Sequence, residues 1–278
     1  LHSISLLEKV RVFGNSKDCI DWLNSVRVSP AIVSFLNAHA FNLSCRNPAF
    51  YSALMASEIV LRDGVGTELI MQAAALKAGV NTNGTDLIPA VLQSRPGARV
   101  AVIGTREPWL SAACARIEEF GANVVLRIDG FKDVGAYVEE VACAAPDIIL
   151  LGMGMPKQEF VAVELVKRLD RHPCLILNGG AILDFLADRF PRAPKGLRRF
   201  RMEWLFRLLL EPRRLWRRYI VGGVIFSTRI VQVAWVSRSN LLAKVSGSSE
   251  IASSNPDHAN SNSRGQGRGI EPGKSEAA

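Results

Sequence analysis

The 278-residue chain predicts an α/β fold: a Rossmann-like, mostly parallel sheet with flanking helices, followed by a basic amphipathic C-terminal appendage. Three observations carry that expectation. Short apolar runs recur as far as Leu177, each ending near Gly, Asn or Asp, the pattern of strands buried on both faces. Longer stretches with apolar residues at helical spacing separate them. Beyond them, one segment concentrates the positive charge of the chain.

The strand candidates, in order, are Ala31–Phe35, Val100–Ile103, Val124–Ile128, Ile148–Leu151 and Leu175–Leu177. Helices are expected between them, for example over Leu110–Phe120 and Phe160–Leu169. Strands alternating with helices imply a largely parallel sheet, and such sheets bind ligands beyond their carboxyl ends. The residues that follow each run are therefore the ones to read. Asn37 and His39 follow the first run, Gly104-Thr105-Arg106 the second, Gly152 to Glu159 the fourth and Asn178-Gly179-Gly180 the fifth. Asp63-Gly64-Val65-Gly66 and the turn from Asn81 to Asp86 stand ahead of the second run. Gly, Asn and Asp in such loops let backbone N–H groups approach phosphate or sugar oxygens, although ordinary turns use the same residues.

From Arg189 to Arg218 the chain holds eleven Lys or Arg against Glu203 and Glu211, a net of +9, while the whole chain carries +8. The charge is thus one local device. It is interleaved with Trp204, Leu205, Phe206, Leu208, Leu209, Leu215 and Trp216. A basic, aromatic-rich amphipathic segment suits an anionic, partly apolar partner such as a lipid headgroup, a diphosphate or a nucleic-acid backbone. At about 100° per residue, Arg207, Arg214, Arg217 and Arg218 fall on one side of a helix, with Pro212 expected to kink or restart it. The following run, Tyr219–Val236, is broken by Gly222, Gly223, Ser227, Thr228, Arg229 and Gln232. That pattern favours contact with a membrane surface over a span. From Ser246 aromatics vanish and aliphatics thin out, so a disordered tail is expected. The expected organisation is a core over 1–190, a membrane-associating appendage over 191–245 and a tail over 246–278.

Several chemistries are disfavoured. Val100–Gly104 is a strand with one glycine and lacks the dinucleotide fingerprint, and no Walker A, nucleophile-elbow or His-Glu metal motif occurs. The four His and five Cys are scattered without ligand spacing, so no metal site is expected and the thiols are read as free. The first sixteen residues show no signal-peptide pattern, and export is not expected. Asp63 is the carboxylate best placed for general-base work, with capping of the following helix as the alternative. For Asp86 and Asp184 the expectation is capping.

The segments LNAH (36–39), DGVG (63–66), NGTD (83–86), GMGMPKQE (152–159), NGGAILDF (178–185), RAP (192–194) and EWLFRLLLEPRRLWRRY (203–219) occur in that order. Together they closely resemble the WecG/TagA/CpsF glycosyltransferase family, and FLNAH looks most like its xanthan-type gum glucosyltransferase branch. The resemblance implies an inverting, metal-independent enzyme without a cofactor. Such an enzyme moves a sugar, of glucose or N-acetylmannosamine type, from a UDP-sugar donor to a polyprenyl-diphosphate-linked sugar acceptor in exopolysaccharide or cell-surface polysaccharide biosynthesis. It would work in the cytoplasm, peripheral on the inner face of the cell membrane, holding the anionic surface through residues 191–236. The family allows a homo-oligomer.

By the same resemblance the catalytic base falls on Asp63 and its strand-end partner on Asn37. By the resemblance substrate binding falls on Gln158 and on Arg207, Arg214 and Arg217 from the appendage, and the strand-end loop residues Gly84, Thr85, Asp86, Gly154, Pro156 and Lys157 are expected to bind substrate with them. Two positions depart from the common pattern: Phe35 where many members have Thr, and Asn81 where many have Arg. These bear on donor or acceptor identity more than on reaction class, and they count against N-acetylmannosamine transfer by default. A nucleic-acid-binding protein is the alternative reading of the basic segment. Because the charge sits in one appendage of a body with enzyme-like loops, no nucleic-acid partner is expected.

Overall fold

A computed structural model describes residues 2–253 except 27–29, 171, 192, 195 and 198–201; for 203 and 240–253 the backbone alone is described. Six strands form one all-parallel sheet: β1 (Ala31–Leu36), β2 (Ile59–Arg62), β3 (Arg99–Gly104), β4 (Asn123–Ile128), β5 (Ile148–Gly152) and β6 (Leu175–Asn178), in the spatial order β2-β1-β6-β5-β3-β4. The Rossmann-like expectation holds. Each of the five expected strands is present within one or two residues of its predicted ends. The sixth, β2, has only four residues and is not among the strand candidates.

The sheet is covered on both faces, which is why its strands read as continuous apolar runs. On one face lie α2 (Ser16–Ser25), α6 (Gly84–Gln93), α7 (Trp109–Glu119) and α10 (Ile182–Leu186). They pack Leu23, Leu87, Val91, Ile117 and Leu183 against Val33, Val102 and Leu150. On the other face α8 (Val134–Ala144) and α9 (Lys157–Leu169) cover the β3–β5 side. There α1 (His2–Lys9), α3 (Ala38–Ser44), α4 (Pro48–Met55) and α5 (Gly64–Ala73) cover the β1–β2 side. Alternate residues of β1 show the division: Val33 and Phe35 enter the first core, Ile32 the second and Leu36 the third.

Register brings the strand ends level. Leu36 pairs with Arg62, Leu151 with Asn178, and Gly104 with Gly152. Asn37, Asp63, Thr105, Met153 and Gly179, each one residue further on, therefore share one edge of the sheet. Gly104 has φ +145°, and a Cβ there would lie 2.5 Å from the Gly152 backbone, so the close crossing of β3 and β5 requires glycine.

The appendage continues as α11 (Glu203–Leu210), α12 (Pro212–Trp216), a π turn (Arg217–Val221) and α13 (Gly222–Ser253). Pro212 opens α12 at its first turn, where its missing N–H costs nothing. Phe226 packs edge-on to Phe41 with ring centroids 5.9 Å apart, and Asn42 Nδ2 donates to the Gly222 carbonyl at 2.7 Å. Two compact units are distinguished, Leu1–Ser237 and Arg238–Ala278; the site belongs to the first. The expected tail from 246 begins inside α13, and residues 254–278 lie outside the described ones. Pro212–Ser239 is long and apolar enough to cross a membrane by length and composition, yet Phe226 and Val233 are buried against the third core.

Candidate active site

Two cavities open at the carboxyl edge of the sheet. The first, of about 770 Å³, is lined by Phe35, Gly84, Thr85, Gly154, the 178–181 loop and Arg214, among others. The second, of about 720 Å³, is lined by Gly64 to Gly66, Glu68, Asn81, Asn83, Asp86, Trp204 and Tyr219, among others. Asn37, His39, Asn42, Asp63, Arg207, Arg218 and Gly222 line both. The two chambers thus meet at Asp63.

Asp63 occupies the N-cap position of α5 but makes no side-chain cap bond. Its Oδ2 instead accepts from Asn37 Nδ2 at 3.1 Å. The capping alternative is therefore not realised. Gly64, at φ +83°, turns the chain directly after Asp63, and its N–H donates to Asn81 Oδ1 at 2.8 Å. Asn37 itself caps α3, its Oδ1 accepting from Ala40 N at 3.0 Å. That cap decides the orientation of the amide and leaves Nδ2 for Asp63. Asp63 is partly exposed to the chambers yet deep in the cleft. Desolvation pushes its carboxyl above the usual range, and the Asn37 bond, then Arg218, Arg207 and Arg62, oppose that rise. A carboxylate with raised proton affinity beside cations is what a general base needs.

The arginines come from the appendage. Arg207 lies over the Phe185 ring at 4.5 Å from its centroid. Arg214 donates to Glu211 at 2.6 Å and Arg217 lies 5.5 Å from the centroid of Trp216; both line the first chamber. Arg218 lines both chambers, and its Nε is buried without a hydrogen-bond partner among the described residues. Burial lowers its proton affinity. Among the appendage arginines Arg218 acts most on Asp63. Helical periodicity placed Arg218 beside the others but did not single it out, because the π turn at Arg217–Val221 shifts the phase of the helix.

The remaining predicted residues divide. Gly84, Thr85 and Gly154 line the first chamber and Asp86 the second. Asp86 is not the cap of α6: Asn83 holds that position, its Oδ1 accepting from Asp86 N and its Nδ2 donating to Asp86 Oδ2. Pro156, Lys157 and Gln158 do not line either chamber. Lys157 Nζ donates to the carbonyls of Gly130 and Lys132 at 2.9 and 2.8 Å, which anchors the loop after β4. Gln158 is fully buried. Its Oε1 accepts from Gly154 N at 3.2 Å and Gly180 N at 3.0 Å, while its Nε2 donates to Glu159 Oε1 at 2.9 Å. It staples two glycine loops together from below. Asp184 is not a cap: Ala181 holds that position, and Asp184 Oδ1 accepts from Thr105 Oγ1 and Arg189. Arg192 of the RAP segment lies outside the described residues. Among the described residues no group of three or more His, Cys, Asp or Glu could hold a metal ion, and the five cysteines are free.

A parallel sheet whose carboxyl edge carries glycine turns, a recessed carboxylate and a cluster of arginines defines an α/β enzyme suited to phosphate-bearing substrates. Comparison with known proteins refines that class. The chain belongs to the glycosyl transferase WecG/TagA/CpsF family, whose model matches residues 9–240, and it is a glycosyltransferase. One similar protein is the N-acetylglucosaminyldiphosphoundecaprenol N-acetyl-beta-D-mannosaminyltransferase of Bacillus spizizenii, 27% identical over 180 residues, covering 63% of this chain and 69% of that one. The protein of the same name from Bacillus subtilis is 24% identical over 221 residues, covering 75% and 84%.

Proposed function

We propose that the protein transfers a hexose, of glucose or N-acetylmannosamine type, from a UDP-sugar to a polyprenyl-diphosphate-linked sugar, with inversion and without a metal. The observation that carries the reading is the position of Asp63 on the wall shared by two chambers. A base that activates an acceptor for attack on a donor must reach both. The names of the two Bacillus relatives, which specify a diphosphoundecaprenol-linked acceptor, support the acceptor class.

In this reading the donor occupies the first chamber and the acceptor sugar the second. Asp63 removes the proton of the attacking hydroxyl. That oxygen bonds to the anomeric carbon as the opposite carbon–oxygen bond breaks, and UDP leaves with the electron pair. Arg207, Arg214, Arg217 and Arg218 offset the charge that builds on the diphosphate, in the two-pronged manner available to arginine. Asn81 and Phe35, the two departures from the common pattern, line the second and first chambers respectively. They are the first positions to examine for sugar preference.

The appendage would bring the site to the inner face of the cell membrane. Val224, Val231 and Trp235, seven and four residues apart on α13, are exposed, and so are Arg213 and Arg217. Apolar residues and arginines on one exposed stretch suit an anionic lipid surface.

A UDP-release assay over a panel of UDP-sugars, each with a short-chain polyprenyl-diphosphate-linked glucose or N-acetylglucosamine, tests the reading. Acceptor-dependent release that survives EDTA is expected and names the donor. Release abolished by EDTA and restored by a divalent cation would overturn the metal-independent mechanism, and no release with any pair would count against the substrate assignment.

A further inference from the structure

His39 stands in the first turn of α3, on the wall common to both chambers. Its imidazole makes no hydrogen bond to any described residue, although it faces a cleft lined with polar groups. Arg218 in the π turn and Arg46 just after α3 act on it electrostatically, and the walls of the two chambers it borders also carry Asp63, Arg62, Glu68, Asp86, Asp184, Arg207, Arg214 and Arg217. Burial, then Arg218, then Arg46 hold the ring down to about 4, so it is neutral at pH 7. Nothing in the chemistry assigned to Asp63 uses this ring.

The surroundings specify the ligand that would change its state. Arg207, Arg218 and a ring with an unused N–H line the wall common to both chambers, with Arg46 on the first, and an anion placed among them reverses the local field. Sugar hydroxyls carry no charge and cannot do this. A diphosphate can, and it offers several acceptor oxygens to a donating imidazolium. We propose that His39 is a proton-linked ligand of a substrate diphosphate: when the diphosphate enters beside Arg46, Arg207 and Arg218, the imidazole takes one proton from solvent and donates a hydrogen bond to a phosphate oxygen. The inference rests on the reading of this site as one that handles diphosphates. The diphosphate is either that of the UDP donor or that of the lipid-linked acceptor, since His39 borders both chambers.

The sign of the linkage follows. Binding raises the affinity of the ring for its proton, so the diphosphate binds more tightly below the midpoint of the complex. That gain is lost as pH rises through the midpoint, at up to about tenfold in affinity per pH unit while one proton is taken up. Asp63 faces the same anion and would also gain proton affinity, so the readout must be specific to the ring.

The test is a pH titration of the histidine ring carbon signals by NMR in the full chain, alone and with UDP, with uridine, and with a short-chain polyprenyl-diphosphate sugar. The chain has four His. His2 packs edge-on to Tyr51 and His172 bonds to the Pro146 carbonyl, both away from the chambers, and His258 lies outside the described residues. Substituting those three leaves His39 assigned without altering it. The expected result is a His39 midpoint near 4 that moves up by about three pH units, to near neutral pH, with a diphosphate and stays in place with uridine; a rise that leaves the ring neutral at pH 7 would overturn proton uptake on binding. A shift with UDP puts the seat on the donor side, and one only with the lipid diphosphate puts it on the acceptor side. His39→Gln should flatten the pH dependence of binding by whichever diphosphate shifts the ring. No movement with either diphosphate, up to millimolar concentration, overturns the proposal. Turnover of a UDP-sugar by the wild-type enzyme is a separate readout and reports on the transferase reading alone.

Discussion

At the scale of single residues, Asn37 does two jobs with one amide. Its oxygen caps α3 and its nitrogen holds Asp63, so the carboxylate is oriented by a group that cannot rotate without uncapping a helix. Asn37→Ala should cost activity and also move the acidic limb of the kcat/KM profile. The Asn37 bond lowers the proton affinity of Asp63; removing it raises that affinity further. More of the base is then protonated at a given pH, and the limb shifts to higher pH. A profile that keeps its midpoint while kcat falls would mean that Asn37 acts by geometry alone. Glu159 offers a stability test. Burial pushes its carboxyl from 4.5 up to about 7. The folded state therefore holds a proton that the unfolded chain has lost between those values, and stability falls as pH rises from 4.5 toward 7. Glu159→Gln keeps an acceptor for Gln158 and removes the titration. Urea unfolding at pH 5 and pH 8 should show a smaller difference in the variant than in the wild type.

At the scale of elements, most of the framework could be read from the sequence because a strand buried on both faces is apolar throughout. Ala31–Leu36, Ile148–Gly152 and Leu175–Asn178 announce themselves in this way. Ile59–Arg62 did not, since four residues ending in a buried arginine give too little signal; Arg62 is tolerated there because it pairs with Glu68 at 2.8 Å. Asp63 stood out by its place before a glycine turn. The functions of Lys157 and Gln158 could not be separated from those of neighbouring loop residues, because spacing does not say which way a side chain points. Lys157 turns to the loop after β4 and Gln158 sits beneath two glycine turns. Gln158→Ala should accordingly free both loops, raising KM for the donor by about tenfold through two lost bonds of about 1 kcal/mol each, partly offset by solvent. An unchanged KM would show that the loops keep their shape unaided. Gly104→Ala is a stricter case. Its Cβ would meet the Gly152 backbone at 2.5 Å, and the φ of +145° penalises any side chain. A loss of at least about 1–3 kcal/mol in unfolding free energy is expected.

At the scale of the whole molecule, the chain joins an α/β core to an appendage that supplies arginines to the site and apolar residues to its own exposed surface. Phe41, Phe226 and the Asn42–Gly222 bond fasten the two together. Deleting the chain after residue 195 should remove binding to anionic vesicles and turnover together. Vesicle binding by the intact protein should weaken as salt is raised past physiological strength. A truncated protein that still turns over efficiently would separate the appendage from catalysis. The central claim is that Asp63 is the base at the meeting point of two substrates, and the most direct measurement compares Asp63→Asn with wild type. Donor turnover is followed in the presence of acceptor, and UDP affinity by calorimetry. The account predicts a loss of turnover of about 100- to 10,000-fold with UDP still bound; turnover retained within a few-fold of wild type would contradict it.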